Sequence, residues 1–95
     1  RRNSPTYGRH VSAVLSADNW VQIWVPKGFA HGYVTLEPDT EVIYKVTAPY
    51  SPAHDRGMQW DDPALGIDWG VTRANAMLSD KDSRLPPLSE LQGVF

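Results

Sequence analysis

The sequence predicts an all-β domain, a sandwich or a barrel. Three observations lead there. Runs of β-branched and aromatic residues recur at short, regular spacing. Clusters of Gly, Pro, Asn, Asp and Ser punctuate them as turns do. Eight prolines and seven glycines in 95 residues also confine the second half of the chain to short strands.

Residues 1–8 are polar and turn-rich, with Asn3-Ser4-Pro5-Thr6-Tyr7-Gly8. His10 to Ser16 alternates weakly, with Val11, Ala13 and Leu15 on one side, the period-two pattern of a strand. Ser16-Ala17-Asp18-Asn19 is a turn. Trp20 to Val25 is a second strand, broken by Pro26-Lys27-Gly28; Phe29 to Leu36 is a third and Thr40 to Thr47 a fourth. Beyond Ala48 the prolines admit only short strands, at Met58-Gln59-Trp60 and Ile67-Asp68-Trp69. The one helical segment is Leu88 to Gln92, with Ser89 near its start.

The hairpin register follows from the turn Glu37-Pro38-Asp39-Thr40. If Glu37 pairs with Thr40, Tyr33 stands opposite Tyr44 and His31 opposite Val46. His31 and Tyr44 then become diagonal neighbours on one face, roughly 6–8 Å apart. Phe29, Tyr33, Val42 and Val46 share that face, while Glu41 and Lys45 point to solvent. An imidazole and a phenol on one sheet surface are suited to a polar substrate and to proton transfer.

Composition bounds the function. Apolar residues are 41% and charged residues 21%, as in one small globular domain. The net charge of −2, with both signs interspersed, offers no basic patch for nucleic acid. Without cysteine there are neither disulfides nor thiolate zinc sites. No apolar run approaches the roughly 18 residues of a membrane span, and the expectation is a cytoplasmic protein without a membrane partner. His10, His31 and His54 do not form a metal-ligand spacing, so a metal is not expected, and no glycine loop for phosphate is present.

Each candidate residue has a plainer reading. His31 serves equally as a hydrogen-bonded core histidine or as a ligand and proton-transfer group. Tyr44 reads as a core aromatic, unless its neighbour His31 makes it a proton donor. Tyr50, after Pro49, is either edge packing or the wall of a ring-binding pocket. His54-Asp55-Arg56-Gly57 is a surface ion-pair turn or a loop for a sugar hydroxyl or phosphate. Asp61-Asp62-Pro63 marks a turn. Leu78-Ser79-Asp80-Lys81-Asp82 is a solvated turn, or it places Lys81 as an anion clamp and Asp82 as the orienter of a histidine.

In these motifs the sequence closely resembles the C-terminal half of the dTDP-4-dehydrorhamnose 3,5-epimerases, a metal-free family of cupin-like barrels. The resemblance runs through nearly the whole chain. It includes Ser4-Pro5-Thr6-Tyr7-Gly8, Trp24-Val25-Pro26-Lys27-Gly28-Phe29-Ala30-His31-Gly32 and Glu41-Val42-Ile43-Tyr44-Lys45-Val46-Thr47. Tyr50-Ser51-Pro52, Asp55-Arg56-Gly57, Trp60 through Trp69 and Leu78-Ser79-Asp80-Lys81-Asp82 complete it. The fold it implies is a cupin-like jelly-roll barrel, incomplete here for want of its N-terminal strands, with residues 1–95 the C-terminal portion of a single epimerase domain.

The resemblance also implies roles. Tyr44 matches the proton-donating tyrosine and His31 a substrate-binding histidine. Asp55 falls where the family usually has a glutamate that contacts the nucleotide sugar. Lys81 matches a substrate-contacting lysine, Tyr50 a second active-site tyrosine, and Asp82 the carboxylate that pairs with the catalytic histidine. That histidine, in an Arg-Gly-x-His segment, and an active-site lysine have no counterpart among these residues. The implied substrate is a dTDP-4-dehydro-6-deoxyglucose, no cofactor is needed, and the implied assembly is a homodimer. Two other functions share these residues: a single-centre epimerase on a related deoxysugar, and a non-catalytic sugar-binding cupin module.

One expectation can be tested directly. The 95-residue chain alone should show no epimerase turnover, because it holds the acid side of the site without the base. Product analysis by NMR checks this, and turnover at the level of an intact relative would place the base within these residues.

Overall fold

A computed structural model describes residues 1–91 of the chain. Its best-defined local features are the turns, and the residues that predict them also supply their bonds. At Ser16–Asn19 the Asn19 side-chain oxygen accepts the backbone N–H groups of Ser16 at 3.1 Å and Val21 at 3.0 Å. The Asn19 amide group donates to the Val14 carbonyl at 2.9 Å, and the Ser16 hydroxyl accepts the Asn19 N–H at 3.1 Å. Asn and Ser close turns in this way because their short polar side chains reach nearby backbone groups.

Phe29 donates its N–H to the Pro26 carbonyl at 3.3 Å, with Gly28 at φ 94, a left-handed value that glycine adopts without a Cβ penalty. The Pro38-Asp39 turn also forms, and the Thr40 hydroxyl donates to the Glu37 carbonyl at 2.7 Å.

Regular structure among the described residues consists of three single turns of 3₁₀ helix, Pro52–His54, Asp82–Arg84 and Leu88–Glu90. Each is short, as 3₁₀ geometry normally is. The expected helix at Leu88 to Gln92 is thus a single 3₁₀ turn at Leu88–Glu90, preceded by the extended Pro87 and with Leu91 already extended. Gln92 lies outside the described residues.

The segments His10–Ser16, Trp20–Val25, Phe29–Leu36 and Thr40–Thr47 carry no ladder among the described residues, and no backbone hydrogen bond joins 29–36 to 40–47. The short segments Met58–Trp60 and Ile67–Trp69 are unpaired as strands as well. A strand is stable only against a partner and a covering layer, and an isolated hairpin is marginal in water. The apolar side chains of these segments are accordingly open to solvent: Trp20 is 88% and Ile43 90% exposed.

Surface area gives the scale of what is unpaired. The chain exposes 8912 Å². A folded monomer of its mass exposes about 5,500 Å². The radius of gyration is nevertheless 14.2 Å. That is near the folded expectation of about 12 Å and far from the unfolded one of about 31 Å. The chain is collapsed, but among the described residues its four long apolar segments have no layer to pack on.

Order concentrates in residues 55–91. There, two segments run side by side in the same direction at a nearly constant offset. Lys81 meets Asp55, the Gln59 N–H donates to the Pro86 carbonyl at 2.7 Å, and the Leu88 N–H donates to Asp62 Oδ2 at 2.7 Å. Between them Leu85 packs onto Gly57 so closely that a Cβ there would lie 2.8 Å from Leu85 Cδ1. The Asp62 carboxylate is buried and also accepts the Ala64 N–H at 2.9 Å, which closes the Asp61-Asp62-Pro63 turn. Trp60 and Trp69 meet edge to face with ring centres 6.4 Å apart, and the Trp69 indole donates to the Trp60 carbonyl at 2.7 Å. Arg2 donates to the carbonyl of the buried Leu91 at 2.8 Å, which brings the start of the chain onto this corner.

Asp62→Asn tests this corner. One of the two backbone donors would then face an amide NH₂ and lose its acceptor, at a cost of about 1–3 kcal/mol. In the whole protein the urea midpoint should fall with an unchanged m-value. An unaltered midpoint would show that the carboxylate does not hold the corner.

Candidate functional site

The site is built on the 3₁₀ turn Pro52–His54. Proline fixes its start, and the Asp55 N–H closes it on the Pro52 carbonyl. Ser51 Oγ and His54 Nδ1 lie 2.7 Å apart across the turn. The Arg56 guanidinium donates to the carbonyls of Ala53 at 3.1 Å and Asp55 at 3.0 Å. The turn thereby brings Asp55 back over Tyr50, whose hydroxyl donates to Asp55 Oδ2 at 3.2 Å.

The same oxygen accepts the Lys81 ammonium at 2.8 Å. Lys81 stands at the head of the 3₁₀ turn Asp82–Arg84. The Ser79 hydroxyl accepts the Asp82 N–H at 3.2 Å, and the Ser83 hydroxyl donates to the Asp80 carbonyl at 2.7 Å. Tyr50, Asp55 and Lys81, singled out separately in the sequence, are therefore one hydrogen-bonded group.

The hydrogen bond from Lys81 holds the Asp55 carboxyl below its ordinary 3.8; the Lys81 charge, Tyr50 and Arg56 act in the same direction, against partial desolvation. Reciprocally, the bond to Asp55 raises Lys81 above its ordinary 10.5, with the charges of Tyr50 and Asp82 adding to it. Both groups are ionised across the neutral range. A lysine used once as a donor keeps two N–H groups for an anion. An aromatic ring, an ammonium and a carboxylate together can bind an anionic, ring-bearing ligand.

A second cluster was not foreseen in the sequence. Arg73 donates through Nε to Asp61 Oδ2 at 2.7 Å and also reaches that oxygen with its terminal nitrogen. Gln59 donates to Asp61 Oδ1 at 3.0 Å. The Gln59 bond lowers the Asp61 carboxyl from its ordinary value, and Arg73 adds to the effect. These residues line an open cleft of about 310 Å³ together with Trp60, Leu85 and Asp82. Asp82 thus faces this cleft, a residue away from Lys81. Arg73 is 12 positions from Asp61, outside any local pattern that would pair them in a sequence.

His31 and Tyr44 are both exposed, and among the described residues no hydrogen bond joins them or ties either to Tyr50, Asp55 or Lys81. Tyr44 is 76% exposed. Their shared face depends on the ladder between 29–36 and 40–47, which is unpaired here. The His31 segment does reach the ordered corner at its next residue: a Cβ on Gly32 would lie 3.3 Å from the Trp69 ring. Among the described residues, no three metal-ligating side chains converge, and no helix is long and apolar enough to cross a membrane.

The family model described as dTDP-4-dehydrorhamnose 3,5-epimerase matches residues 1–90. A protein of that name from Sinorhizobium fredii is 59% identical over 95 residues, all of this chain and 48% of that relative. Its namesake in Escherichia coli is 47% identical over 91 residues, 96% of this chain and 49% of the relative. A third, from Salmonella typhimurium, is 44% identical over 90 residues, 95% of this chain and 49% of the relative. The chain spans about half the length of the curated relatives it matches. No solved structure matches it.

The Asp55–Lys81 pair predicts a pH window. Asp55 is depressed in the folded state, so its contribution is present above 3.8 and is lost as pH falls through its lower folded value. Lys81 is raised, so its contribution is present below 10.5 and is lost as pH rises through its higher folded value. The stability difference between wild type and Asp55→Asn should be flat from about pH 5 to pH 9 and shrink outside both limits. Urea melts across pH check this, and a difference that varies within the neutral range would mean that the pair is not formed.

Proposed function

We propose, for a chain that belongs to the dTDP-4-dehydrorhamnose 3,5-epimerase family, that the whole protein inverts C3 and C5 of dTDP-4-dehydro-6-deoxy-D-glucose to give dTDP-4-dehydro-L-rhamnose for dTDP-rhamnose biosynthesis. The observation that carries this reading is the family match over residues 1–90, which includes Tyr44, Asp82, His31, Asp55, Lys81 and Tyr50. The hydrogen-bonded group of Tyr50, Asp55 and Lys81 supports it, since a nucleoside diphosphate sugar presents a ring and an anion together.

The chemistry needs two proton-transfer groups and no redox step. The C4 ketone acidifies the protons at C3 and C5. A base removes one, and the electron pair moves onto the ketone oxygen as an enolate, which a hydrogen-bond donor or cation stabilises. A proton then returns to carbon from the opposite face and inverts the centre. In our reading Tyr44 returns that proton. Asp82 holds the tautomer of a histidine base that is not among His10, His31 and His54, and stabilises its charged form. His31 binds the sugar, and Lys81, Asp55 and Tyr50 hold the nucleotide part.

The four long apolar segments supply the strands of this reading. Paired with further strands, they would form a cupin-like barrel that covers the surface now open and places His31 beside Tyr44 on its concave face. We further propose a cytoplasmic homodimer without nucleic-acid or membrane partners.

Tyr44→Phe in the whole protein tests the assignment. Loss of a general acid lowers turnover by roughly 10²- to 10⁴-fold. Because the base remains, solvent deuterium should still enter C3 or C5 without inversion, as NMR would show. Double epimerisation at the wild-type rate would remove Tyr44 from its role. Complete product with inversion at one carbon only, by wild type, would favour the single-centre enzyme. Binding of dTDP without deuterium exchange would favour the sugar-binding module.

A further inference from the structure

We propose that Asp55 is a positioning residue, which acts on the nucleotide through Lys81 and Tyr50 rather than by touching the ligand itself. This rests on the epimerase reading above and specifies how its nucleotide end is organised. Three observations support it.

The first is the sharing of one oxygen. Asp55 Oδ2 accepts both the Tyr50 hydroxyl at 3.2 Å and the Lys81 ammonium at 2.8 Å. An oxygen with two donors has its lone pairs occupied and offers little to a third.

The second is reach and exposure. The Asp55 side chain is 29% exposed and that of Lys81 62%. More of the Lys81 side chain than of the Asp55 side chain is therefore open to a ligand. Asp is also one methylene shorter than Glu, so its carboxylate stays nearer its own backbone.

The third is the scaffold. Segments 55–62 and 81–88 run parallel, with Asp55 opposite Lys81 and Asp62 opposite Leu88, each pair 26 residues apart. Gly57 against Leu85 and Gln59 against Pro86 fill the interval. The Asp55–Lys81 bond is the solvent-side end of this alignment. It fixes an otherwise flexible four-carbon side chain, with two N–H groups left for a phosphate oxygen, beside the Tyr50 ring.

Asp55 Oδ1 accepts no bond among the described residues and defines the competing arrangement, direct contact with a sugar hydroxyl. A double-mutant cycle on the whole protein separates the two, with dTDP as the probe and NMR titration at millimolar ligand so that weak binding remains measurable. Asp55→Asn should weaken dTDP binding by about 2- to 150-fold in the wild-type background and much less in Lys81→Met, where only the Tyr50 bond is left to lose. KM for the nucleotide sugar should rise more than kcat falls, since the proton-transfer groups are untouched. Equal weakening in both backgrounds, or none in either, would overturn the proposal. An independent readout needs no ligand: the Lys81 ammonium, titrated by NMR, should drop toward its ordinary range in Asp55→Asn, and an unchanged titration would also overturn it. Failure of wild type to bind dTDP would instead defeat the nucleotide-sugar reading beneath it.

Discussion

The ordered part of this chain depends on the Asp62 carboxylate. One oxygen takes the Ala64 N–H and the other the Leu88 N–H, so a single side chain closes a local turn and a 26-residue span together. A buried carboxylate persists only when it is hydrogen-bonded, and each Asp62 oxygen takes one backbone donor. With Leu88 anchored, the segment before it must lie along residues 55–62. Gln59 then meets Pro86, Leu85 fills the space above Gly57, and Lys81 arrives at Asp55. The nucleotide-binding end of the proposed site is a consequence of that alignment.

The rest of the chain shows the opposite situation. Four apolar segments between residues 10 and 47 have turns to reverse them but, among the described residues, no ladder to pair them. The turns are local, made by Asn19, Gly28 and Thr40 within a few residues of themselves. Pairing and covering are not local. A sheet face must be buried against a second layer, and the area left open is far beyond what the ordered corner can cover. The two halves of the proposed site follow this division: Tyr50, Asp55 and Lys81 are assembled by contacts within residues 50–88, whereas His31 and Tyr44 sit on faces that need pairing to converge.

This division has a chemical counterpart. Binding an anionic nucleotide requires a cation held in place, which one ion pair on a turn provides. Moving a proton at carbon requires an acid placed to within a fraction of an ångström of one face of a ring, which only a rigid, covered scaffold provides. The Trp69 ring against Gly32 is one contact between the two regions, beside His31 itself.

By itself the sequence determined the turns, the polar identity of the site residues and the family. Ser16–Asn19, Pro26–Gly28 and Glu37–Thr40 are legible because their chemistry is complete within four or five residues. Asp61-Asp62-Pro63 reads correctly as a turn for the same reason, although its second role, the grip on Leu88, does not show. The tertiary structure alone decided which charged residues meet. Asp55 with Lys81 across 26 positions and Asp61 with Arg73 across 12 follow no helical or strand period. Their partners are chosen by the path of the backbone between them, and that path is set by a buried carboxylate whose acceptors only the folded chain can fill.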